Sequence, residues 1–338
     1  MKIAMLAPIA WRTPPEHYGP WELVTSLITE ELVKLGLDVT LFATGNSITN
    51  AKLESVVEKG YEEDRNSDAK ILEYRHISNC MEKANEFDII HNQFDFMPLH
   101  YSKLIKTPML TTIHGFSSDK ILPAYQKYNS NTHYVSISYA DRDPSLKYIS
   151  NVYHGIDVDF YKPKNETKDD YLLFMGRIHP DKGAHEAIQI ALNSGRKLIL
   201  AGIIQDQNYF EEKIKPFLNQ EIEFIGSVGG ETKLKLIQNA CAFLHPIAFE
   251  EPFGLSVVEA MACGTPVVAY KKGSMPEVIE DGKTGFLVEN INSAVEAILK
   301  IDSINSSDCR NHVIEKFSKE RMAEDYVKVY REILGLKD

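Results

Sequence analysis

The sequence predicts an α/β protein built as two doubly wound domains, each a parallel sheet with crossover helices. Short apolar, β-branched runs alternate with amphipathic stretches along the whole chain, the pattern of parallel strands joined by helices. At 338 residues the chain is too long for one ordinary core, since a domain usually holds about 100–200 residues. The strand–helix rhythm also breaks once, in polar text between 157 and 170, and restarts at Tyr171.

In the first half, strands are expected at 2–6, 38–42, 87–90, 108–113, 134–136 and 151–153. A helix over 20–35 joins the first two. Pro20 takes a first-turn position where no N–H donor is needed, Leu23, Leu27, Ile28, Leu32 and Leu35 recur on one face, and Gly36 ends the helix. The stretch 46–68 is polar, acidic and weakly periodic, and reads as a surface excursion without functional weight. After the break, strands are expected at 171–175, 197–201, 221–225, 241–244, 265–270 and 285–288. A final helix over 319–334 carries Met322, Tyr326, Val329 and Tyr330 as a stripe. The domains expected are 1–156 and 165–316, with 317–338 a C-terminal helix that packs back on the first domain.

Bulk charge narrows the partners. Thirty-seven basic against 48 acidic side chains give a net charge of −11, which opposes broad attraction to nucleic acid or anionic lipid. Any anion must be bound locally. Residues 1–150 hold 15 basic and 19 acidic side chains, so membrane association is not indicated by count. No stretch approaches the roughly 18 apolar residues of a membrane span. The apolar start reads as a buried strand rather than a signal peptide, because Pro8, Trp11 and Arg12 follow at once, and a cytoplasmic location is expected. Cys80, Cys241, Cys263 and Cys309 lack metal-ligand spacing and read as reduced, structural thiols. The first strand is not followed by Gly-x-Gly-x-x-Gly, which opposes a dinucleotide-dependent oxidoreductase.

The strongest motif runs from Glu251 to Pro266. Gly254 follows a strand ending near Pro246 and opens a helix reaching about Ala262, so backbone N–H groups there form a ready anion site. Glu251 precedes the helix and Glu259 falls in its second turn, so the two need not act as an acid/base pair on one face. They suit two grips on the hydroxyls of an extended ligand. The Glu-x7-Glu spacing alone arises often by chance; its context is what makes it specific. Thr111-Thr112-Ile113-His114-Gly115 places a histidine just after a strand, where open α/β sheets keep ligands.

On these residues the chain resembles family 4 of the retaining GT-B glycosyltransferases, also called glycosyl transferases group 1, over nearly its whole length. The resemblance implies two Rossmann-like domains facing each other across a cleft, the first for acceptor and the second for a nucleotide-sugar donor. Phe174-Met-Gly176-Arg177-Ile-His-Pro-Asp-Lys182-Gly183 is similar to the family's strand-loop-helix whose Arg and Lys bind the donor diphosphate. Glu251 to Pro266 is similar to its donor motif, which implies sugar hydroxyls at Glu251, backbone N–H contacts to sugar or phosphate at Gly254 and Leu255, a donor contact at Phe253, and the ribose at Glu259. His114 matches a histidine beside the donor sugar, which implies a hydrogen bond to the transferred group. The implied catalytic set is His114, Arg177, Lys182 and Glu251.

Tyr18-Gly19-Pro20-Trp21-Glu22 resembles the family's glycine-rich loop, with Gly19 on the donor side. Many members carry a second glycine where Pro20 stands, so Trp11, Tyr18, Trp21 and Glu22 are read as shaping an acceptor pocket. Gly273 to Glu277 resembles the loop whose carboxylate approaches the donor, and His154 to Asp157 the segment that closes the first domain. Asp157-Val-Asp159 falls at that interdomain turn and is not read as a metal site. The family implies no metal and no tightly bound cofactor, only a nucleoside-diphosphate sugar as substrate, with UDP favoured over GDP or ADP and the base read near 226–229. The acceptor is expected to be a sugar or small glycoside. A sugar phosphorylase or trehalose-synthase-like enzyme is the alternative on this fold, and a non-catalytic sugar-nucleotide-binding protein a remoter one. Physical chemistry supports the cations independently: a departing pyrophosphate gathers negative charge, which fixed cations and a helix N-terminus stabilise most in the transition state.

Overall fold

The computed structural model describes residues 1–64, 66–116, 118–164 and 168–336. Residues 165–167, where the second domain was expected to begin, and 337–338 lie outside the described residues. The chain divides into two compact units, Met1–Gly155 with Lys319–Asp338, and Ile156–Ser318.

The first unit is a parallel sheet of order β3-β2-β1-β4-β5-β6-β7. Its strands are β1 (Lys2–Leu6), β2 (Asp38–Phe42), β3 (Lys52–Glu54), β4 (Ile89–Asn92), β5 (Met109–Ile113), β6 (His133–Ser136) and β7 (Tyr148–Asn151). Helices α1 (Pro20–Lys34), α2 (Ala69–Glu82) and α3 (Leu122–Tyr128) connect them. The central strands are buried, as continuous apolar runs covered on both faces require.

The differences from the expected pattern have physical causes. β4 runs two residues further than apolarity suggests, because His91 and Asn92 keep their ladder places and find polar partners inside. The stretch 46–64 is not a loose excursion. β3 pairs with β2 in it, Val57 is buried, and Tyr61 and Glu62 donate backbone N–H groups to the carbonyls of Ile9 and Ala10. It therefore braces the loop that follows β1. On α1, Thr25, Thr29 and Glu31 are buried while Leu35 is half exposed, because α11 packs against a face the leucine stripe does not mark.

Helix α11 (Lys319–Leu334) belongs to this first unit. Its stripe of Met322, Tyr326, Val329 and Tyr330 is buried. The Tyr326 hydroxyl lies 2.8 Å from Thr112 Oγ1, and the Tyr330 hydroxyl 2.6 Å from His91 Nδ1. Lys319 Nζ adds an ion pair to Glu31 at 3.6 Å.

The second unit is a parallel sheet of order β10-β9-β8-β11-β12-β13. It comprises β8 (Tyr171–Met175), α4 (Ala184–Ser194), β9 (Lys197–Ala201), a single turn α5 (Gln207–Tyr209), β10 (Ile222–Phe224), α6 (Gly230–Asn239), β11 (Ala242–His245), α7 (Leu255–Ala262), β12 (Val267–Tyr270), α8 (Met275–Val278), β13 (Gly285–Val288), α9 (Ile291–Ile298) and α10 (Ser306–Phe317). Leu172, Phe174, Leu198, Leu200 and Leu244 of the sheet pack with Ile188 of α4 and Ile298 of α9 in its core. The ends of this unit are tied together: Ile156 N donates to Phe317 O at 2.9 Å, and Ile156 bridges to Ser318. Among the described residues, no helix is long and apolar enough to cross a membrane.

Truncating Tyr326→Ala should cost about 3–5 kcal/mol, the usual range for a buried aromatic ring. Tyr326→Phe removes only the bond to Thr112 and should cost about 1 kcal/mol. Urea unfolding midpoints of the two variants test this order; equal midpoints would place the ring outside the core.

Candidate active site

In each sheet the strand order reverses beside the first strand, and a parallel sheet offers its ligand crevice at the carboxyl ends there. In the second unit this switch point lies between β8 and β11. Gly176, Arg177 and Lys182 follow β8, while Glu251, Phe253 and Gly254 follow β11.

These two loops lie backbone against backbone. Gly183 has φ 75°, and a Cβ there would overlap the Pro246 carbonyl, so only glycine fits. Ala248 N also donates to Asp181 O at 2.8 Å. Lys182 is thereby carried to Glu251, with Nζ 2.8 Å from Oε2 and side chains 16% and 13% exposed. The ammonium also stands 4.3 Å from the Phe249 ring centre. His245 Nε2 approaches the same carboxylate oxygen at 3.5 Å. Burial pushes the Glu251 carboxyl upward, but His245 and Lys182 more than offset it and hold it at about 2. It is ionised at neutral pH.

Gly254 caps α7 with φ 90°, and no side chain caps that helix. A Cβ on Gly254 would strike Met275, which leaves the backbone free to turn and the N–H groups of Leu255 and Ser256 at the helix start. Glu259 is 2% exposed. It meets Lys233 Nζ of α6 at 2.5 Å and the hydroxyl of Tyr161. Arg177 bonds the Gln205 side chain, and Gln205 lines a cavity of about 400 Å³ with His179, Asp206, Gln207 and Asn208. Phe253 differs from its neighbours: its ring is buried against Phe317, so only its backbone is left for a ligand. Glu277 sits in α8, its N–H donating to Ser274 O.

In the first unit the switch point lies between β1 and β4. His114 follows β5 and is buried, with Trp21 stacked on it at 5.2 Å between ring centres. Its Nε2 is 2.6 Å from Gln93 Oε1 and its Nδ1 is 3.2 Å from His154 Nε2. The glutamine carbonyl only accepts, so with this amide assignment Nε2 carries the proton. Burial, then His154 and His91, keep His114 neutral. Both ring nitrogens are occupied inside the unit, so the expected bond to a sugar requires one partner to give way.

Glu22, 3% exposed in the first turn of α1, accepts a hydrogen bond from Trp11 N at 3.2 Å. Gly19, φ 149°, is packed so closely that a Cβ would meet Glu22 Oε2 and Pro15. Burial raises the Glu22 carboxyl to about 7. Trp11 is half-buried and Tyr18 exposed on the same loop.

The sequence reading missed several residues of these clusters, among them Gln93 beside His114. Asp95 follows β4 with φ 84°, takes a hydrogen bond from the Tyr125 hydroxyl, and is pushed by burial to about 6. A polar group just past a strand was its signal, the same that marked His114. Lys233, Tyr161 and His245 gave none, because only folding brings them to Glu259 and Glu251. Among the described residues, no group of three His, Cys, Asp or Glu could hold a metal ion.

Residues 156–321 match the family described as glycosyl transferases group 1. The chain is 24% identical to an uncharacterised glycosyltransferase of Methanocaldococcus jannaschii, over 98% of each protein. Its fold matches AviGT4, a glycosyltransferase involved in avilamycin A biosynthesis, with a TM-score of 0.74, 25% identity and coverage of 99% and 98%. It also matches Anabaena HepE, solved with UDP and glucose, with a TM-score of 0.73, 21% identity and coverage of 98% and 100%.

The Glu22 carboxyl is raised in the folded state, so its contribution to stability is complete at pH values below about 4.5 and is lost as pH rises through about 7. Glu22→Gln keeps the acceptor for Trp11 N and removes this titration. Its melting temperature should equal that of wild type near pH 5 and exceed it near pH 8, with an upper bound of roughly 3 kcal/mol. Parallel melting curves across that range would show that Glu22 is not buried as described.

Proposed function

Residues 156–321 match the glycosyl transferases group 1 family and the chain has the GT-B fold, and on that premise we propose that it transfers a hexose from a nucleoside-diphosphate sugar to a hydroxyl of a sugar or small glycoside, with retention at the anomeric carbon. UDP is the favoured nucleotide. The observation that carries this reading is the meeting, at the switch point of the second sheet, of Lys182, an ionised Glu251 and the uncapped start of α7.

When the bond from the anomeric carbon to the phosphate oxygen breaks, charge gathers on the diphosphate. Lys182, Arg177 released from Gln205, and the first N–H groups of α7 would hold that charge better in the transition state than in the bound substrate. Glu251 accepts hydrogen bonds from the sugar hydroxyls and Glu259 from the ribose. The acceptor hydroxyl forms the new bond on the face the phosphate leaves, and its proton passes to the departing phosphate oxygen. These fixed cations supply the positive charge at the diphosphate, so turnover is expected without a metal ion or bound cofactor. The first unit is read as the acceptor side, through Trp11, Tyr18, Trp21 and Glu22, with His114 as a neutral, stacked imidazole. A cytoplasmic site of action goes with this reading.

UDP, GDP, ADP and NAD compared by thermal shift test the donor class. UDP should stabilise wild type by about 2.7 kcal/mol at one hundred times Kd, and Arg177→Ala should lose most of that shift. Stabilisation by NAD alone, or by none of the four, overturns the proposal. Lys182→Ala should lower kcat by roughly 10²–10³, and EDTA should leave the wild-type rate unchanged; loss of rate in EDTA would refute metal independence.

A further inference from the structure

Glu251 Oε2 is addressed from two sides, and only one of them is satisfied. Lys182 Nζ is bonded to it at 2.8 Å. His245 Nε2 lies 3.5 Å away and 5% exposed, close enough to draw the Glu251 carboxyl down but without a hydrogen bond of good geometry to it or to any other group. A buried ring nitrogen without a partner is costly and calls for an explanation. The strand gives none, since β11 reads Ala-Phe-Leu-His and an apolar side chain would fill that place without an orphaned atom.

The surroundings of the ring are simple. Its ladder partner on β12 is Ala269, and the Phe243 ring lies near it at 6.4 Å. Glu250 is turned to Gly273 N and Lys272 to the Ala248 carbonyl. The charged groups nearest His245 are Glu251 and, across it, Lys182, with Glu186 of α4 beyond them beside Gly183 and close enough to act on Tyr270.

Lys182 has a second task in the functional reading above, on which this inference rests: it binds the donor diphosphate. A diphosphate draws an ammonium more strongly than a single carboxylate. As Lys182 turns to it, Glu251 is left as a carboxylate that is 13% exposed and short of a counter-charge, a state proteins avoid. Histidine is the side chain that can supply a cation there near neutral pH.

We propose that His245 is the positioning residue that takes over Glu251 when the donor binds: its Nε2 takes one proton from solvent and pairs with Glu251 Oε2 as Lys182 moves to the diphosphate. Glu251 then stays ionised and aimed at the sugar throughout. Donor affinity becomes linked to pH through a group that never touches the donor.

The decisive measurement is calorimetric. UDP-glucose, GDP-mannose and ADP-glucose have no group that titrates between about pH 5 and 9 in these terms, so proton uptake on binding reports the protein. Titrations at pH 7.5 in two buffers of different ionisation enthalpy should show uptake approaching one proton per donor in wild type and none in His245→Phe. Wild-type affinity should also fall up to tenfold per pH unit on the alkaline side, while the variant stays flat. Equal uptake in both proteins overturns the proposal. Should His245→Phe fail to fold, His245→Gln keeps a polar side chain that cannot titrate and must give the same absence of uptake.

A donor-free arm separates this inference from the functional reading. In histidine-selective NMR of Lys182→Met, His245 should titrate at least one pH unit higher than in wild type, because it alone then faces Glu251. An unchanged titration refutes the exchange of partners even if a donor binds. Failure of all three nucleotide sugars to bind refutes the functional reading itself, and with it the donor-driven step.

Discussion

The ion pair between Lys182 and Glu251 depends on a contact between two stretches of backbone. Gly183 lies against the Pro246 carbonyl with no room for a Cβ, and that contact sets how far the loop after β8 reaches toward the loop after β11. Gly273 does the same from the far side, packed on the backbone of Glu251 itself. The site is thus positioned by main chain, which cannot change rotamer, and only then furnished with charge. A lysine and a glutamate brought together by flexible loops would gain little, because ordering them costs as much as their attraction returns. Here the ordering is done in advance by the fold, and the desolvated carboxylate stays charged because a cation is already beside it.

The first unit reaches rigidity by other means. His91, Gln93, Thr112 and His114 project from β4, β5 and the residues that follow them, and α11 supplies the hydroxyls of Tyr326 and Tyr330. The groups are neutral: burial holds His91 and His154 at about 3. Such a network avoids the cost of buried charge while fixing each ring in orientation and tautomer. The orientation of His114 is therefore determined partly by a helix some two hundred residues further along the chain.

Much of this was legible in the sequence, and the limits follow from what a sequence encodes. Parallel strands buried on both faces leave plain apolar runs, so β1, β2, β8 and β9 stand where the text places them. Gly254 at the start of α7 and the buried stripe of α11 were visible for the same reason, since local periodicity and backbone need are local properties. β4 was placed two residues too early, because polar residues inside a strand look like its end. Phe253 could be seen as part of a motif, but the direction of its ring depends on Phe317, which no local pattern marks. Lys233 beside Glu259, His245 beside Glu251 and the bracing of the β1 loop by 46–64 are products of packing between distant segments.

The chain enters the second unit at Ile156 and leaves it at Ser318, and these two points are joined by a hydrogen bond and a bridge. Topologically, the second unit is an insert spliced into the first, with both seams in one place. The first unit cannot be completed until the insert has been synthesised, because α11 comes last. All strands of the second sheet are therefore synthesised before the first unit has α11, and any exchange of the insert between chains requires two cuts at a single locus.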